Sequence, residues 1–147
     1  MHLNMKYPEI GRLMMAYDKK FKAFMKTALR KRELTVAEML VMLSLSEADG
    51  QTQDQLLSQI SYDKSVMART TQSLEARGCI TRSDNPEDRR SWLFHLAEPG
   101  REMLPDIIQA LRDWCTLAFT GISDDDTEKL LEIMIKVYDN LDQQPEK

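Results

Sequence analysis

The stretch that decides the fold is residues 74–96, LEARGCITRSDNPEDRRSWLFHL. It opens at the end of a helical pattern, where Gly78 is placed to stop the helix. After this glycine the spacing of apolar residues changes from helical to alternating, which predicts strands over residues 79–82 and 92–96. The charged loop between them is too long for a two-residue hairpin turn. The stretch therefore predicts a β-hairpin with a long, basic-tipped loop, which is the form of a wing.

Four helices are predicted before the hairpin. Pro8 opens a long pattern of apolar residues at three- and four-residue steps, which indicates the first helix. Thr35 with Glu38, and Thr52 with Gln55, have the spacing of capping boxes and mark the starts of the second and third helices. Asp63 is placed to be the N-cap of the fourth helix, which runs to Ala76 or Arg77 and stops at Gly78. Because the third and fourth helices are short and closely joined, residues 52–96 are predicted to form a winged helix-turn-helix.

Two further helices are predicted after the hairpin. The fifth carries apolar residues over positions 103–119, and the sixth begins at Ser123 and continues to about residue 141. The apolar faces of the first, fifth and sixth helices are larger than a compact winged-helix core can cover. We therefore expect the chain to dimerise.

Composition indicates a globular chain with uneven charge. The 147 residues are 42% hydrophobic and 30% charged, which predicts one soluble domain. No apolar run approaches the roughly 20 residues of a membrane span, and Cys79 and Cys115 form no disulfide framework, so we expect a cytoplasmic protein. The net charge is -4, yet residues 19–32 hold seven basic residues and no acid. A local basic surface is compatible with the acidic total.

Patterns typical of catalytic and metal sites are missing from the sequence. The two histidines are isolated, and no metal-ligand spacing, nucleophile elbow or phosphate-binding glycine loop occurs. We therefore expect neither an enzyme nor a bound metal or cofactor.

Several residues around the hairpin have a recognisable spacing. They are Asp63, Lys64, Ser65, Arg69, Leu74, Glu75, Gly78, Ile80, Arg82, the run DNPEDRR at residues 84–90, and residues 96–100. With this spacing the chain closely resembles the MarR family (multiple antibiotic resistance regulators). The most specific part is residues 74–90, where a helix end, a glycine stop and an Asp-Arg-Arg tip follow each other. The order of elements matches over essentially the whole chain.

The resemblance implies a fold class and an assembly. The fold is mainly α with a small β-hairpin wing, arranged as a six-helix winged helix-turn-helix in an intertwined homodimer. The whole chain, residues 1–147, forms a single domain. Residues 8–32 and 97–142 supply the dimerisation helices, and residues 35–96 the DNA-binding region.

The resemblance also implies a function. The protein is expected to be a transcriptional repressor on a pseudo-palindromic double-stranded DNA operator, with the fourth helix in the major groove and the wing in the flanking minor groove. A small aromatic or anionic effector that releases the DNA is a further expected partner. The alternative is a protein-interaction module that kept the scaffold without reading DNA. The acidic net charge leaves room for that alternative.

Candidate DNA contacts lie on the fourth helix. Arg69 can bind guanine O6 and N7 in bidentate fashion, or a phosphate, and Ser65 lies near the helix N-terminus, where backbone N–H groups favour phosphate. Val66 and Ala68 stand where the family often has threonine, so they offer only apolar contact. The predicted set is Lys64, Ser65, Val66, Ala68, Arg69, Gln72 and Ser73. Further candidate phosphate contacts are Arg77 and Arg82.

The wing tip supplies the other candidate contacts. Arg90 matches the family's minor-groove arginine, Asp88 the acid that orients it, and Arg89 lies between them. A narrow minor groove is strongly negative and attracts an extended guanidinium. The alternative is a solvated surface ion pair, worth at most about 1 kcal/mol.

The basic run at residues 19–32 has two interpretations. It forms the solvated face of the first helix, or it supplies one or two cations to an effector pocket between the first, second and fifth helices. Tyr17, Phe21, Met39 and Met42 are candidate apolar walls of that pocket, although core packing explains them equally well. Cys79 is expected to be a buried core thiol.

Overall fold

The computed structural model describes residues 6–143. Its α-helices are α1 (Lys6–Ala28), α2 (Val36–Glu47), α3 (Gln53–Gln59), α4 (Lys64–Ala76), α5 (Glu98–Ala118) and α6 (Asp124–Asp142). A 3₁₀ turn, Arg30–Arg32, follows α1, and strands β1 (Ile80–Asp84) and β2 (Trp92–Leu96) form an antiparallel hairpin between α4 and α5. The predicted fold class, mainly α with six helices and a wing, is confirmed.

Local side-chain hydrogen bonds begin α2 and α3 as the sequence predicts. The hydroxyl of Thr35 accepts the backbone N–H of Glu38 at 3.1 Å, and the Glu38 carboxylate accepts the N–H of Thr35 at 3.0 Å. Thr52 and Gln55 exchange the same two bonds at 3.2 and 2.8 Å. Both capping boxes therefore satisfy backbone donors that a helix start leaves free.

Gly78 ends α4 in the left-handed conformation, with φ of 70°. The N–H of Gly78 donates to the carbonyl of Glu75, and the N–H of Cys79 to the carbonyl of Leu74, both at 2.9 Å. This pair of bonds is a Schellman motif, which explains why a glycine stands here. The first strand begins at Ile80 and continues to Asp84, so the predicted range of 79–82 was too early.

The hairpin is joined to the connection between α2 and α3. The register runs from Ile80 opposite Leu96 to Asp84 opposite Trp92. Gln51 forms an additional bridge to Phe94, through N–H···O bonds of 2.8 and 3.2 Å. Sequence periodicity did not predict this bridge, because a single paired residue has no alternating pattern.

The core of the first part of the chain lies among α2, α3, α4 and the hairpin. Its fully buried side chains include Met39, Met42, Leu45, Leu56, Met67, Leu74 and Ile80. Gly100, in the first turn of α5, lies against the carbonyl oxygen of Cys79 and the side chain of Leu96, so closely that a Cβ would clash with both. The start of α5 therefore packs directly on the hairpin.

Two compact units divide the chain, Met1–Arg112 and Asp113–Lys147. In the first, the apolar face of α1 is largely exposed, as Tyr7, Ile10, Leu13, Met14, Met15 and Tyr17 show. In the second, no residue of α6 is buried. Among the described residues, no helix has the length and apolar character needed to cross a membrane.

Candidate nucleic-acid interface

Helix α4 presents one polar face to solvent. Lys64, Ser65, Arg69 and Gln72 are exposed, and Val66 and Ala68 are half-buried. The opposite face buries Met67, Thr70, Thr71 and Leu74 against the core. No hydrogen bond or ion pair within residues 6–143 holds the Arg69 guanidinium, so it is free to reach a ligand.

The N-terminus of α4 is capped by the carboxylate of Asp63. The carboxylate of Asp63 accepts the N–H of Val66 at 2.8 Å and the hydroxyl of Ser65 at 2.7 Å. These bonds, from Val66 first and Ser65 second, hold the pKa of Asp63 below its usual range. Because a carboxylate caps this N-terminus, the predicted phosphate contact through Ser65 competes with Asp63.

Ser73, which was predicted to face outward as a DNA contact, instead faces α2. Its hydroxyl donates to Glu38 Oε1 at 2.6 Å. Arg77 lies beside it and donates to the backbone oxygens of Glu33 and Arg32 at 3.0 and 2.7 Å, with its Nη1 3.5 Å from Glu38 Oε2. The two residues fasten the end of α4 to the segment before α2. The candidate phosphate contact at Arg77 is therefore committed to this structural role.

The wing loop is shaped by short-range hydrogen bonds. Asn85 is buried; its amide donates to the Ser91 hydroxyl at 2.9 Å, and its oxygen accepts the N–H of Glu87 at 3.1 Å. The Asp88 carboxylate accepts the backbone N–H of Arg90 at 2.9 Å. Asp88 thus sets the turn through the main chain of Arg90, and no ion pair between its carboxylate and the Arg90 guanidinium is formed.

Both arginines at the wing tip are available to a partner. Arg89 and Arg90 are exposed, and neither guanidinium takes part in an ion pair among the residues that the structure describes. The ion pair of the alternative interpretation does not form among residues 6–143. A cavity of about 350 Å³ beside the tip is lined by Thr52, Asp54, Arg90 and Trp92, between the start of α3 and the wing.

The outer face of the hairpin is anchored by Asp49. Its carboxylate accepts the N–H of Leu96 at 2.8 Å and lies 2.9 Å from His95 Nδ1, while His95 Nε2 lies 2.8 Å from the Ser83 hydroxyl. Burial would raise the pKa of Asp49, but the bonds from Leu96 and His95 outweigh it, and the pKa is lowered. These contacts among Asp49, His95, Ser83 and Leu96, here called the Asp49 row, fix the base of the wing to the α2–α3 connection.

The four candidate effector-pocket residues lie in different environments. Met39 and Met42 are fully buried core residues. Phe21 is half-buried and Tyr17 is 47% exposed. The structure therefore accounts for the two methionines by core packing, which was the simpler of the two interpretations.

The cysteines do not form a reactive pair in this fold. Cys79 is fully buried, as predicted, and burial raises the pKa of its thiol. Cys115 is exposed on α5. Within residues 6–143, no cluster of three or more potential ligands could hold a metal.

Three positioning residues were not predicted as part of the site. Glu38 was assigned only to a capping box, although it also receives Ser73 and Arg77 of α4. Asp49 and Asn85 are the other two. Asn85 carried a usable signal, since an asparagine before a proline favours a turn through its own side chain.

The geometry defines a winged helix-turn-helix protein. Helix α4 presents an exposed polar face next to a hairpin with free arginines at its tip. A model described as the MarR family matches residues 34–92, from the residue before the α2 N-cap to the first residue of β2.

Similar proteins extend the match over most of the chain. The HTH-type transcriptional regulator BilQ of Clostridioides difficile is 23% identical over 136 residues, or 92% of each chain. A MarR transcriptional regulator from Methanosarcina mazei has a TM-score of 0.83 at 21% identity, over 90% of this chain and 96% of that one. A mutant MarR from E. coli, complexed with operator DNA, has a TM-score of 0.79 at 23% identity, over 91% of this chain and 98% of that one.

Proposed function

We propose that this chain is a cytoplasmic, homodimeric repressor that binds pseudo-palindromic double-stranded DNA. The observation that carries the proposal is the pair of free cationic surfaces, Arg69 on α4 and Arg89 with Arg90 on the wing tip. The E. coli relative in complex with operator DNA supports the same use of the scaffold.

In this proposal the two surfaces have different tasks. Arg69 and Gln72 on α4 suit base edges in the major groove, where arginine recognises guanine and glutamine recognises adenine. Val66 and Ala68 are half-buried and apolar, so they suit thymine methyl groups. Lys64 suits a phosphate. Arg90 suits a narrow minor groove, because it is exposed at the tip of the wing loop and forms no ion pair with the residues that the structure describes.

Homodimerisation is supported by the exposed apolar faces of α1 and α6. Exposed apolar surface of this extent marks an interaction site. A second copy related by a two-fold axis would cover it and present two α4 helices about one DNA turn, roughly 34 Å, apart.

Release by a small aromatic or anionic effector completes the proposal and rests on the family resemblance. Tyr17 and Phe21 are the accessible members of the proposed pocket, whereas an effector that used Met39 and Met42 would have to open the core. Benzoate, added to the protein–DNA complex, tests this part. We expect it to release the DNA from the wild type and less from Tyr17→Ala.

Selection of bound fragments from the organism's own genome, followed by mobility-shift titration, tests DNA binding. We expect Arg90→Ala to weaken binding about tenfold, the loss of one charge-assisted contact of roughly 1.4 kcal/mol. Arg69→Ala should instead relax the base preference. Arg30→Ala, which removes an exposed arginine of the 3₁₀ turn, is the matched control. Absence of any DNA binding at low salt would favour the protein-interaction module.

A further inference from the structure

Arg82 of β1 is bracketed by two side chains from different elements. Its Nε lies 3.2 Å from Oε2 of Glu75 in α4. Its guanidinium carbon lies 4.6 Å from the ring centroid of Trp92, the first residue of β2. Side chains of α4, β1 and β2 therefore meet at the Arg82 guanidinium.

The strand register explains why Arg82 points towards α4. Alternate residues of a strand share one face, so Arg82 lies on the same face as the buried Ile80. Phe94, which is opposite Arg82, and Trp92, two residues before it, share this inner face on β2. Arg82 thus extends over the inner face of the hairpin, between the wing and the last turn of α4.

The hydrogen bonds within the loop at the wing tip do not fix the position of the loop relative to α4. The bonds of Asn85 and Asp88 connect residues within the loop, so they shape the tip without relating it to α4. The Asp49 row holds the base of the hairpin from its outer face. On the inner face, the buried Phe94 and its bridge to Gln51 join the hairpin to the α2–α3 connection, but the bonds of that bridge do not reach α4. A polar contact from the wing to α4 comes from Arg82, through the Glu75–Arg82–Trp92 bridge.

We propose that Arg82 is a positioning residue that sets the angle between the wing and α4, so that both can enter adjacent DNA grooves at once. This proposal rests on the DNA-binding function proposed above. It replaces the earlier expectation of a phosphate contact, because the charge of Arg82 is already neutralised by Glu75 and one face of its guanidinium is covered by Trp92.

The direction in which one substitution changes DNA affinity distinguishes the positioning role of Arg82 from a phosphate contact. Glu75→Gln removes the ion pair and one negative charge. A positioning role predicts that affinity for the selected DNA fragment falls, by about three- to tenfold, although the protein becomes less acidic. A phosphate-contact role predicts that affinity rises, since Arg82 is released. Glu87→Gln, an exposed acid of the wing loop, is the control and should not weaken binding.

A double-mutant cycle tests whether Arg82 acts through the wing tip. Arg82→Lys keeps the charge but loses the planar group that stacks on Trp92. We expect it to weaken DNA binding severalfold in the wild type and to have little further effect in Arg90→Ala, because the misplaced tip no longer contributes. Additive losses would overturn the proposal.

Trp92 emission tests the bridge without DNA. In a Trp114→Phe background Trp92 is the remaining indole. Arg82→Lys and Glu75→Gln should both change its emission, and Glu87→Gln should leave it unchanged, with thermal unfolding used to confirm that each variant is folded. Unchanged emission in both bridge variants would overturn the proposal. Failure of the wild type to bind any DNA would instead overturn the proposed function, while the emission still reports the bridge.

Discussion

The winged-helix segment, residues 34–96, and helix α6 differ in how they use apolar side chains. In the winged-helix segment the large apolar side chains are mostly buried, and Trp92 is the one exposed by more than 40% among the described residues there. In α6 no residue is buried, and eight large apolar side chains are exposed. In proteins most of the stability of a helix comes from the packing of its apolar face. The first region thus buries its apolar side chains within one chain, whereas α6 leaves them exposed, and the proposed homodimer would cover them.

The largest expected effect follows from a charge on α6. Met134→Lys places an ammonium in the middle of the apolar face, where burial against a second copy would cost several kcal/mol. We expect the dimer to dissociate in sedimentation analysis and DNA affinity to fall roughly a hundredfold, because two half-sites are no longer linked. Lys136→Ala, a polar position on the same helix, should leave the dimer intact. A stable Met134→Lys dimer would show that the exposed apolar face of α6 is not covered by a second copy.

A methyl group at Gly100 should test the close packing of the winged-helix segment. Gly100→Ala forces a Cβ against the Cys79 carbonyl, so we expect a loss of about 1–3 kcal/mol in the free energy of unfolding. Gly11→Ala is the control, since a Cβ there meets nothing within 4 Å and helix propensity improves by about 0.5–1 kcal/mol. Denaturant unfolding measures both. Equal stability of the two variants would mean that the start of α5 is not tightly packed.

A smaller loss is expected at Ser73, compared with its neighbour Gln72. Ser73→Ala leaves the buried Glu38 carboxylate with one donor fewer, which should cost about 1–2 kcal/mol in urea unfolding. Gln72 is exposed, so Gln72→Ala should change stability by less than about 0.5 kcal/mol and instead weaken DNA binding. The reverse pattern would show that Ser73 faces outward after all.

The smallest effect concerns the pH dependence of the Asp49 anchor. Its pKa is lowered from 3.8 in the folded chain, so the anchor stabilises the fold above pH 4 and this contribution is lost as the pH falls through the lowered pKa. Because Asp49 is 46% exposed, we expect less than about 1 kcal/mol. The stability difference between wild type and Asp49→Asn should therefore shrink from pH 7 to pH 3. Asp54→Asn, an exposed acid of α3, is the control, and a pH-independent difference at Asp49 would refute the anchor.

The features predicted correctly from sequence are those encoded by neighbouring residues. The capping boxes of α2 and α3, the N-cap at Asp63 and the stop at Gly78 each involve partners within five residues. Their hydrogen bonds depend on local backbone geometry, which the residue types specify. The wing loop belongs to the same class, since Asp88 and Arg90 are two residues apart.

The errors arose where distant segments meet. Ser73 was expected to face outward, but its partner Glu38 is 35 residues away. Arg77 was expected to be free, but it binds backbone oxygens 44 and 45 residues before it. In both cases helical periodicity places the residue at the border of the exposed face. What packs against that border is not encoded in the periodicity.

The sequence by itself therefore determined the order of elements, the ends of the helices and the basic tip of the wing, because hydrogen bonds over two to five residues specify them. Only the tertiary structure decided which cations remain free. Arg77 is committed to the segment before α2 and Arg82 to Glu75 and Trp92, whereas Arg69, Arg89 and Arg90 stay available. The physical reason is that a guanidinium pairs with whichever acceptor the packing brings within reach, and long-range packing is settled by the whole core.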